Sequence, residues 1–295
     1  MYYTNDTTLF LDGKLVKAAD AKIDLFSQSL HYGYGVFEGI RAYQTLNGVK
    51  VFKAREHYER LLKSASLIGI PLDYDPEELI QATYQVLARN KQTNAYVRPL
   101  VFCGPNMSLS APTQVSLMIA TWVWGKYLGD KLLKVCISSY QRPNPKSFKA
   151  EAKACGHYVN SIMATTEAKQ RGFDEGLLLD IEGFVAEGPG ANFFYEKDSV
   201  LYTPPLGSIL PGITRQTVLE ICAELDFRVE EKLFKPEDLF EADSAFFCGT
   251  AAEIAGIESI EGQKFAKPWK ESLGAIIQEA YQCLVLDKSY SYVIV

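Results

Sequence analysis

Short apolar segments of strand length recur along this chain, and residues that favour turns separate them. Two of these turns, Asp12-Gly13 and Asn47-Gly48, have apolar residues on both sides. Such pairs fit the tight turn of a β-hairpin, so both sites predict antiparallel strands. Since no stretch of about 18 apolar residues occurs, the pattern favours a folded protein without a membrane-spanning helix.

A length of 295 residues exceeds the usual size of one domain, so two domains are expected. We predict a small N-terminal α/β domain over 1–124, a linker over 125–131 and a larger C-terminal domain over 132–295. The linker is bracketed by glycines. In the first domain, apolar residues at helical spacing predict helices over 56–69 and 76–90.

The second half of the chain alternates strand patterns with helical ones. Six short apolar segments predict strands: KVCISS, GLLLDI, NFFYE, VLYTP, FRVEEKL and SAFFCG. Helical spacing predicts helices over 160–171, 212–225 and 268–286. Together with the first half, this pattern predicts an α+β protein.

Composition and charge narrow the class of function. The chain is 47% hydrophobic and 22% charged with a net charge of -6, which is typical of a globular enzyme and unfavourable for binding nucleic acid or anionic membranes. Six scattered cysteines form no C-x-x-C pair, and only three histidines occur, so no metal site or disulfide framework is predicted. Because the N-terminus lacks a signal-peptide pattern, we expect a cytoplasmic protein.

Two ionisable residues stand in unusual local contexts. Lys153 lies among small residues, where a flat ligand can approach it, although most lysines in such a stretch are solvated surface residues. Glu187 ends an apolar strand before a Gly-Pro-Gly turn; a solvated turn glutamate is the simpler interpretation. A desolvated lysine can attack an aldehyde, and a carboxylate can keep a ring nitrogen protonated.

Phosphate and carboxylate binding have candidates as well. The segment LPGITR at 210–215 precedes a helical pattern, and free amides at a helix start bind phosphate, although an ordinary capped helix start is the simpler interpretation. The segment GTAAEI at 249–254 also places a hydroxyl beside exposed amides. Arg98 stands inside an apolar strand, where an unpaired charge is costly, whereas Arg55 at a helix start could be solvated.

These segments together resemble the fold-type IV enzymes that use pyridoxal 5'-phosphate (PLP), and most closely the branched-chain aminotransferases of bacterial type. The resemblance runs from Phe10 to about Gly256. It rests on eight ordered segments: HYGYGVFEGIR (31–41), FKAREHYERL (52–61), YVRP (96–99), WGKYLG (124–129), AKACGHYVNS (152–161), EGPGANFF (187–194), LPGITR (210–215) and GTAAEI (249–254).

The resemblance implies a two-domain fold, like that of D-amino-acid and branched-chain aminotransferases, with the cofactor in the interdomain cleft. It makes Lys153 the catalytic lysine that forms a Schiff base with PLP, Tyr158 a partner of the cofactor phenolate, and Glu187 the partner of the pyridine nitrogen. The remaining cofactor contacts that it implies, mainly to the phosphate, are Arg55, Leu210, Ile213, Thr214 and Thr250.

The resemblance also implies the substrates, leucine, isoleucine and valine with 2-oxoglutarate, and a homodimer. Arg98 is expected to bind the distal carboxylate of glutamate. The other implied substrate-binding residues are Tyr96, Thr250 and Ala251 for the α-carboxylate, and Phe37, Trp124, Tyr127 and Tyr32 for the side chain, Tyr32 coming from the neighbouring subunit.

Some alternatives stay open at this point. A D-amino-acid transaminase or an aminodeoxychorismate lyase of the same fold would keep Lys153 and Glu187, and a catalytically silent PLP-binding module would bind the cofactor without turnover. Two positions depart from the bacterial pattern. His157 stands where asparagine is expected and Ala191 where an acidic residue is common, so the fine tuning of the site is in question.

Overall fold

The computed structural model describes residues 2–125 and 127–288. The chain divides into two compact units, Met1–Gly125 with Ala152–His157, and Lys126–Glu151 with Tyr158–Val295. The first unit thus includes a short segment from the middle of the chain. The boundaries 1–124, 125–131 and 132–295 stay predictions, and Lys126 of the predicted linker lies outside the described residues.

The first unit contains one sheet and three helices. Its strands are β1 (Thr8–Leu11), β2 (Lys14–Lys17), β3 (Gly35–Phe37), β4 (Ile40–Thr45), β5 (Gly48–Val51), β6 (Ala95–Cys103) and β7 (Val115–Trp122). Its helices are α1 (Gln28–Tyr32), α2 (Ala54–Leu67) and α3 (Pro76–Arg89).

The sheet of the first unit is antiparallel in the order β2-β1-β7-β6-β4-β5, and β3 also pairs with β6. The two predicted hairpins are confirmed, since Leu11 pairs with Lys14 and Thr45 with Gly48. The longest pair is that of β6 with β7, which runs from Tyr96 opposite Trp122 to Cys103 opposite Val115. It therefore forms the rigid middle of the sheet.

Helices α2 and α3 pack against each other and supply apolar side chains to the core of the first unit. Tyr58, Leu61, Leu79 and Val86 are fully buried there. Both helices begin and end within two residues of their predicted bounds. Asp75 caps α3 because its side chain accepts a hydrogen bond of 2.9 Å from the amide of Glu77 in the first turn.

The second unit has one large sheet and three helices. Its strands are β8 (Leu133–Gln141), β9 (Glu175–Leu179), β10 (Val185–Glu187), β11 (Asn192–Lys197), β12 (Val200–Thr203), β13 (Val229–Glu231), β14 (Ser244–Gly249), β15 (Glu253–Ile260) and β16 (Gln263–Lys264). Its helices are α4 (Tyr158–Gln170), α5 (Ile213–Glu224) and α6 (Leu273–Val285).

The strands of this sheet follow the order β10-β9-β8-β15-β14-β11-β12-β13. An additional pairing of β10 with β11, Glu187 opposite Asn192, joins six of these strands into a closed ring. Aromatic side chains fill the core, with Phe193 and Phe247 fully buried at 5.7 Å between ring centroids. Glu187 therefore lies at a fixed position of a closed sheet.

One helix prediction in this unit is wrong at its start. Instead of a single helix over 268–286, a short 3-10 turn at Trp269–Glu271 precedes α6. Ser272 separates the two because its backbone is extended and its hydroxyl accepts a hydrogen bond of 3.1 Å from Ala275 N–H. Within residues 2–125 and 127–288, no helix is long and apolar enough to cross a membrane.

Candidate active site

Backbone contacts within the first unit fix the segment that carries Lys153. The amide of Lys153 donates to Ser64 Oγ at 3.1 Å, and its carbonyl accepts from the amide of Phe37 at 3.1 Å. Val36 and Ala154 form an isolated antiparallel bridge beside these contacts. The Lys153 Nζ atom lies 5.2 Å from the centroid of the Phe37 ring. The main chain of this lysine is thereby tied to β3 and α2.

Two glycines make this arrangement possible. Gly156 N–H donates to the carbonyl of Gly33 at 3.0 Å. A Cβ atom at Gly33 would lie 2.9 Å from Gly156 Cα, and the φ of Gly33 is 64°, a conformation that favours glycine. His157, one of the two departures from the bacterial pattern, follows directly and ends the 3-10 turn Cys155–His157.

A buried charge network, which the sequence reasoning missed, lies next to this lysine. The carboxylate of Glu38 is fully buried and accepts from Arg60 Nε at 2.6 Å, Arg60 Nη2 at 2.9 Å and His57 Nδ1 at 2.7 Å. The network borders the lysine because Glu38 directly follows Phe37, whose amide donates to the Lys153 carbonyl at 3.1 Å. The spacing of His57 and Arg60, one turn of α2, is the signal that could have revealed the network.

The charges in this network are strongly coupled. Burial alone would raise the pKa of Glu38, but Arg60 and His57 outweigh burial and hold that pKa well below its usual range. Burial lowers the pKa of His57, although Glu38 opposes this effect. The network therefore keeps an ionised carboxylate in the core of the first unit.

Arg55, the predicted phosphate ligand, has a different environment from Arg60. Its side chain is 55% exposed, and its Nη2 atom pairs with Glu77 of α3 at 3.0 Å. The Arg60 side chain is only 10% exposed. The phosphate role of Arg55 stays a prediction, and Arg60 is the arginine of α2 that shares the buried network beside Lys153.

Arg98 lies in an aromatic environment on β6. Its guanidinium carbon lies 4.5 Å from the ring centroid of Phe37, 5.4 Å from that of Tyr96 and 5.8 Å from that of Trp122. The predicted common face of Tyr96 and Arg98 is confirmed by this contact. Trp122 was missed, although it stands directly opposite Tyr96 on β7. Trp124 extends the cluster, with its ring 4.9 Å from that of Tyr96.

The guanidinium of Arg98 has no carboxylate partner among the described residues. Its one hydrogen bond is a long contact of 3.4 Å to the Tyr96 hydroxyl, and its buried Nε atom has no acceptor in the described part of the chain. A cation that is held only by aromatic faces keeps most of its donors available. Arg98 can therefore bind an incoming carboxylate.

Tyr32 lies on the surface of the first unit. Its side chain is 44% exposed, and its hydroxyl donates to the carbonyl of Met107 at 2.9 Å. Leu25, Phe26 and Leu30 are also exposed around it. The role of Tyr32 in the site of a neighbouring subunit stays a prediction.

In the second unit, Glu187 is buried and held by several donors. Arg142 Nε lies 3.0 Å from Glu187 Oε1, an ion pair whose N–H does not point directly at the oxygen. Asn192 Nδ2 donates to Oε2 at 3.0 Å, and the amide of Leu210 donates at 3.2 Å. Neither Arg142 nor Asn192 was predicted. Asn192 ends the segment EGPGAN and pairs with Glu187 across the Gly-Pro-Gly turn, so this contact could have been inferred from the hairpin.

The first turn of α5 presents the predicted phosphate-binding amides. Helix α5 begins at Ile213, and its N-cap, Gly212, provides no side-chain cap. Thr214 is buried in this first turn. A Cβ atom at Gly212 would lie 1.9 Å from Asn192 Oδ1, so only glycine allows this close approach. Uncapped amides beside a hydroxyl form an anion-binding arrangement.

The turn between β14 and β15 carries Thr250 and Ala251. The carbonyl of Ala251 accepts from the amide of Tyr127 at 2.9 Å. A Cβ atom at Gly249 would lie 3.2 Å from the carbonyl of Gly190, in the turn that follows Glu187. The β14–β15 turn therefore lies next to the Gly-Pro-Gly turn at 188–190. Ala191, where the bacterial pattern often has an acidic residue, directly follows that second turn.

Tyr127 and Tyr158 both belong to the second unit, which also contains a buried acid, Glu175. Burial raises the pKa of Tyr127, and the charge of Glu175 adds to that shift. Thr165 Oγ1 donates to Glu175 Oε1 at 2.8 Å. Burial raises the pKa of Glu175 too, against the hydrogen bonds that it accepts.

We predict that Arg60→Met lowers the free energy of unfolding by about 3 to 5 kcal/mol, because it leaves the buried carboxylate of Glu38 without its main partner. The matched control is Arg55→Met on the same helix, where loss of an exposed ion pair should cost less than about 1 kcal/mol. Denaturant unfolding measures both. Equal losses would contradict the assigned importance of the buried pair.

Glu175 should make stability depend on pH. Its pKa is raised in the folded state, so its contribution to stability is present below the unfolded carboxyl pKa and is lost as pH rises through the folded value. Glu175→Gln should therefore gain stability relative to wild type as pH rises from acidic to neutral. Unfolding midpoints across pH measure this, with the exposed Glu182→Gln as control; a difference that does not change with pH would contradict it.

Comparison with known proteins agrees with this geometry. The sequence profile of the family described as amino-transferase class IV matches residues 35–260. The branched-chain-amino-acid aminotransferase of Pseudomonas aeruginosa is 40% identical over 293 residues, which cover 97% of this chain and 95% of that protein.

Solved structures of such enzymes share the fold. The branched-chain aminotransferase of Thermoproteus uzoniensis with norvaline has a TM-score of 0.92 and 42% identity, covering 97% of each chain. The branched-chain amino acid aminotransferase of Escherichia coli has a TM-score of 0.92 and 37% identity, covering 96% of each chain. A further branched-chain amino acid aminotransferase, solved with pyridoxamine 5'-phosphate, has a TM-score of 0.91 and 35% identity, covering 97% of this chain and 96% of that one. The resemblance inferred from the eight segments is confirmed, and the chain belongs to the class IV amino-transferase family.

Proposed function

We propose that this protein is a branched-chain amino acid aminotransferase that uses PLP to transfer the amino group of leucine, isoleucine or valine to 2-oxoglutarate. The observation that carries the proposal is Arg98, a cation held against aromatic rings with no carboxylate partner among the described residues. Such a residue suits a site that must receive an apolar side chain in one half-reaction and a carboxylate in the other. The relatives with this name cover almost the whole chain.

The residues of the site fit the chemistry of PLP. Lys153 offers a primary amine to the cofactor aldehyde. Glu187 offers a buried carboxylate, stabilised by Arg142, to the ring nitrogen. When bound, PLP supplies an electron-accepting ring that stabilises negative charge on the substrate α-carbon. Tyr158 completes this set as the proposed partner of the cofactor phenolate.

Phosphate binding is proposed for backbone and side-chain donors at the start of α5. The amides of Ile213 and Thr214 have no side-chain cap, and Leu210 precedes them near Glu187. Thr250 and Arg55 complete the proposed phosphate contacts. A charged donor stabilises phosphate binding by about 1.5 to 3 kcal/mol, so retention of PLP by Arg55→Ala during dialysis tests the contribution of that residue.

Lys153 is the proposed catalytic base and acid. Its ε-amino group would take the proton from the substrate α-carbon and donate a proton again later in the reaction, while bound PLP would supply the carbon that takes up the amino group as the 2-oxo acid is released. The backbone ties to Ser64 and Phe37 hold the start of this side chain while its amino group moves. The proposed reaction thus needs a fixed main chain at Lys153 and freedom of movement for its ε-amino group.

Substrate recognition is proposed for an aromatic set and a few polar groups. Phe37, Trp124 and Tyr127 receive the apolar side chain. In such a site, substrates that differ by one methylene differ in binding free energy by only about 0.8 kcal/mol. The α-carboxylate is assigned to Tyr96 together with two further residues of the β14–β15 turn, Thr250 and Ala251. Leucine, isoleucine and valine should therefore react at similar rates, and aspartate poorly.

The proposal extends to a cytoplasmic homodimer. Exposed apolar side chains of the first unit lie near Tyr32 and supply a surface for a second copy: Leu25, Phe26, Leu30 and Met107. We propose that Tyr32 reaches the substrate of the neighbouring subunit. Sedimentation equilibrium tests the assembly, and a monomer at assay concentration would exclude this role of Tyr32.

The wild-type protein should form glutamate from leucine and 2-oxoglutarate, whereas Lys153→Ala should lose both this activity and the visible absorbance of lysine-bound PLP. Lys149→Ala, which changes an exposed lysine nearby in sequence, should keep both. Glutamate assay and absorbance spectroscopy read the two properties.

Other outcomes of the same assay favour the alternatives. Preference for D-alanine would indicate a D-amino-acid transaminase, conversion of aminodeoxychorismate a lyase, and PLP absorbance without turnover a silent binding module. Normal turnover by Lys153→Ala would refute the mechanism.

Arg98→Met should slow the half-reaction with glutamate much more than that with leucine. Loss of the charged partner of the distal carboxylate should cost about 2 to 5 kcal/mol for glutamate. The methionine retains apolar contact with Phe37, so the leucine half-reaction should change little. Single-turnover spectroscopy of each half-reaction measures the two separately. Equal losses would show that Arg98 serves the α-carboxylate or the fold.

A further inference from the structure

The ion pair between Arg142 and Glu187 lies in the interior of the second unit. The two side chains are only 10% and 5% exposed, and Arg142 Nε lies 3.0 Å from Glu187 Oε1. Because taking two charges out of water costs several kcal/mol, a buried pair is weak evidence for a gain in stability. The arginine therefore calls for an explanation other than stability.

Contacts with three elements hold Arg142 beside Glu187. The arginine directly follows β8, and its amide donates to the carbonyl of Leu179 at the end of β9 at 2.8 Å. Its Nη1 atom makes a long contact of 3.5 Å to Asn160 Oδ1 in α4. Asn160 Nδ2 in turn donates to the Gln141 carbonyl at 3.0 Å. The position of the guanidinium is thus fixed from β8, β9 and α4.

Two further donors to Glu187 are neutral. Asn192 Nδ2 donates to Oε2 at 3.0 Å, and the amide of Leu210 donates to Oε1 at 3.2 Å. A carboxyl group that has taken up a proton still accepts hydrogen bonds from such donors. The charge of Arg142, in contrast, attracts the ionised carboxylate far more than the neutral acid. Of these three contacts, the arginine is the one that distinguishes the two protonation states.

We propose that Arg142 is a positioning residue that keeps the proton shared by Glu187 and the cofactor ring nitrogen on the nitrogen. The inference rests on the proposed function, which assigns Glu187 to that nitrogen. A buried carboxylate without its cation favours the protonated form, so the N–H bond would break and an O–H bond would form on Glu187. The ring would then be neutral and would withdraw electrons from the substrate α-carbon less strongly.

The test changes the cation and reads the proton directly. Arg142→Met and Arg142→Gln remove the charge and leave an apolar or a polar side chain, whereas Arg142→Lys keeps a cation. Each holoenzyme is loaded with PLP that carries an isotope label on the ring nitrogen, and nitrogen NMR distinguishes the protonated from the neutral ring. Loss of the nearby opposite charge should move the proton about ten- to thousandfold towards the carboxylate. Both neutral variants should therefore shift towards the signal of a neutral ring, and Arg142→Lys should resemble wild type.

A second measurement needs no bound cofactor and so includes variants that retain PLP poorly. In the cofactor-free protein, infrared absorption of a protonated carboxyl group reports the state of Glu187. Subtracting the spectrum of the same variant with Glu187→Gln isolates this band. Burial raises the pKa of Glu175, and any band from that acid cancels in the difference. Arg142→Met and Arg142→Gln should gain a Glu187 band at neutral pH that wild type lacks.

Arg171→Met provides the matched control, because it removes an arginine–glutamate pair of the same unit outside the proposed site. Arg171 Nη2 lies 2.9 Å from Glu261 Oε1, and the arginine side chain is 37% exposed. The nitrogen signal and the Glu187 band of this variant should match those of wild type.

The outcomes separate a role in proton placement from a role in folding. A purely structural role of Arg142 would lower stability without moving the proton, so an unchanged nitrogen signal in both neutral variants would overturn the proposal. An Arg142→Lys signal equal to that of Arg142→Met would also overturn it, because the charge would then have no effect. A neutral ring in wild type would overturn the proposal together with the assignment of Glu187. Leucine turnover by wild type, measured in parallel, reports separately on the proposed function.

Discussion

The backbone contact between Gly33 and Gly156 is the constraint on which the lysine-bearing side of the site depends. It allows the segment Ala152–His157 to lie against β3, and it leaves no room for a side chain at Gly33. The same approach brings the amide of Lys153 to Ser64 and its carbonyl to Phe37. The position of the reactive amine therefore follows from main-chain packing and not from contacts of the lysine side chain alone.

Three buried carboxylates of this protein differ in the partners that surround them. Glu38 and Glu187 each face an arginine, Arg60 and Arg142 respectively. For Glu38, Arg60 and His57 outweigh burial and hold the pKa well below its usual range. Within residues 2–125 and 127–288, Glu175 accepts from a hydroxyl and an amide and from no charged group, and burial raises its pKa. Glu38 can therefore serve as a fixed charge, whereas Glu175 serves as a hydrogen-bond acceptor.

Features set by local sequence could be predicted, and those set by distant contacts could not. The hairpin at Asp12-Gly13 and the N-cap at Asp75 each depend on a few neighbouring residues. The common face of Tyr96 and Arg98 follows from strand periodicity. In contrast, Arg142 and its partner Glu187 lie on separate segments far apart in the chain, a pairing that no local pattern encodes.

Much of the candidate site could also be predicted from the sequence. Eight short segments indicated the family and most of the residues assigned to it, because those segments carry the glycines and turns that shape the backbone. The network of Glu38, His57 and Arg60 was missed because an arginine's environment depends on which face of α2 it occupies. Arg55 and Arg60 look alike in sequence, yet the Arg55 side chain is 55% exposed and that of Arg60 only 10%.

The most direct test of this account is chemical trapping of the cofactor. The protein should be incubated with PLP, reduced with borohydride, digested and mapped by mass spectrometry. The account predicts a phosphopyridoxyl group on the peptide that contains Lys153, at close to one group per chain. Labelling of a different lysine, or none above that of the unfolded protein, would contradict the assignment of Lys153 as the residue that carries the cofactor.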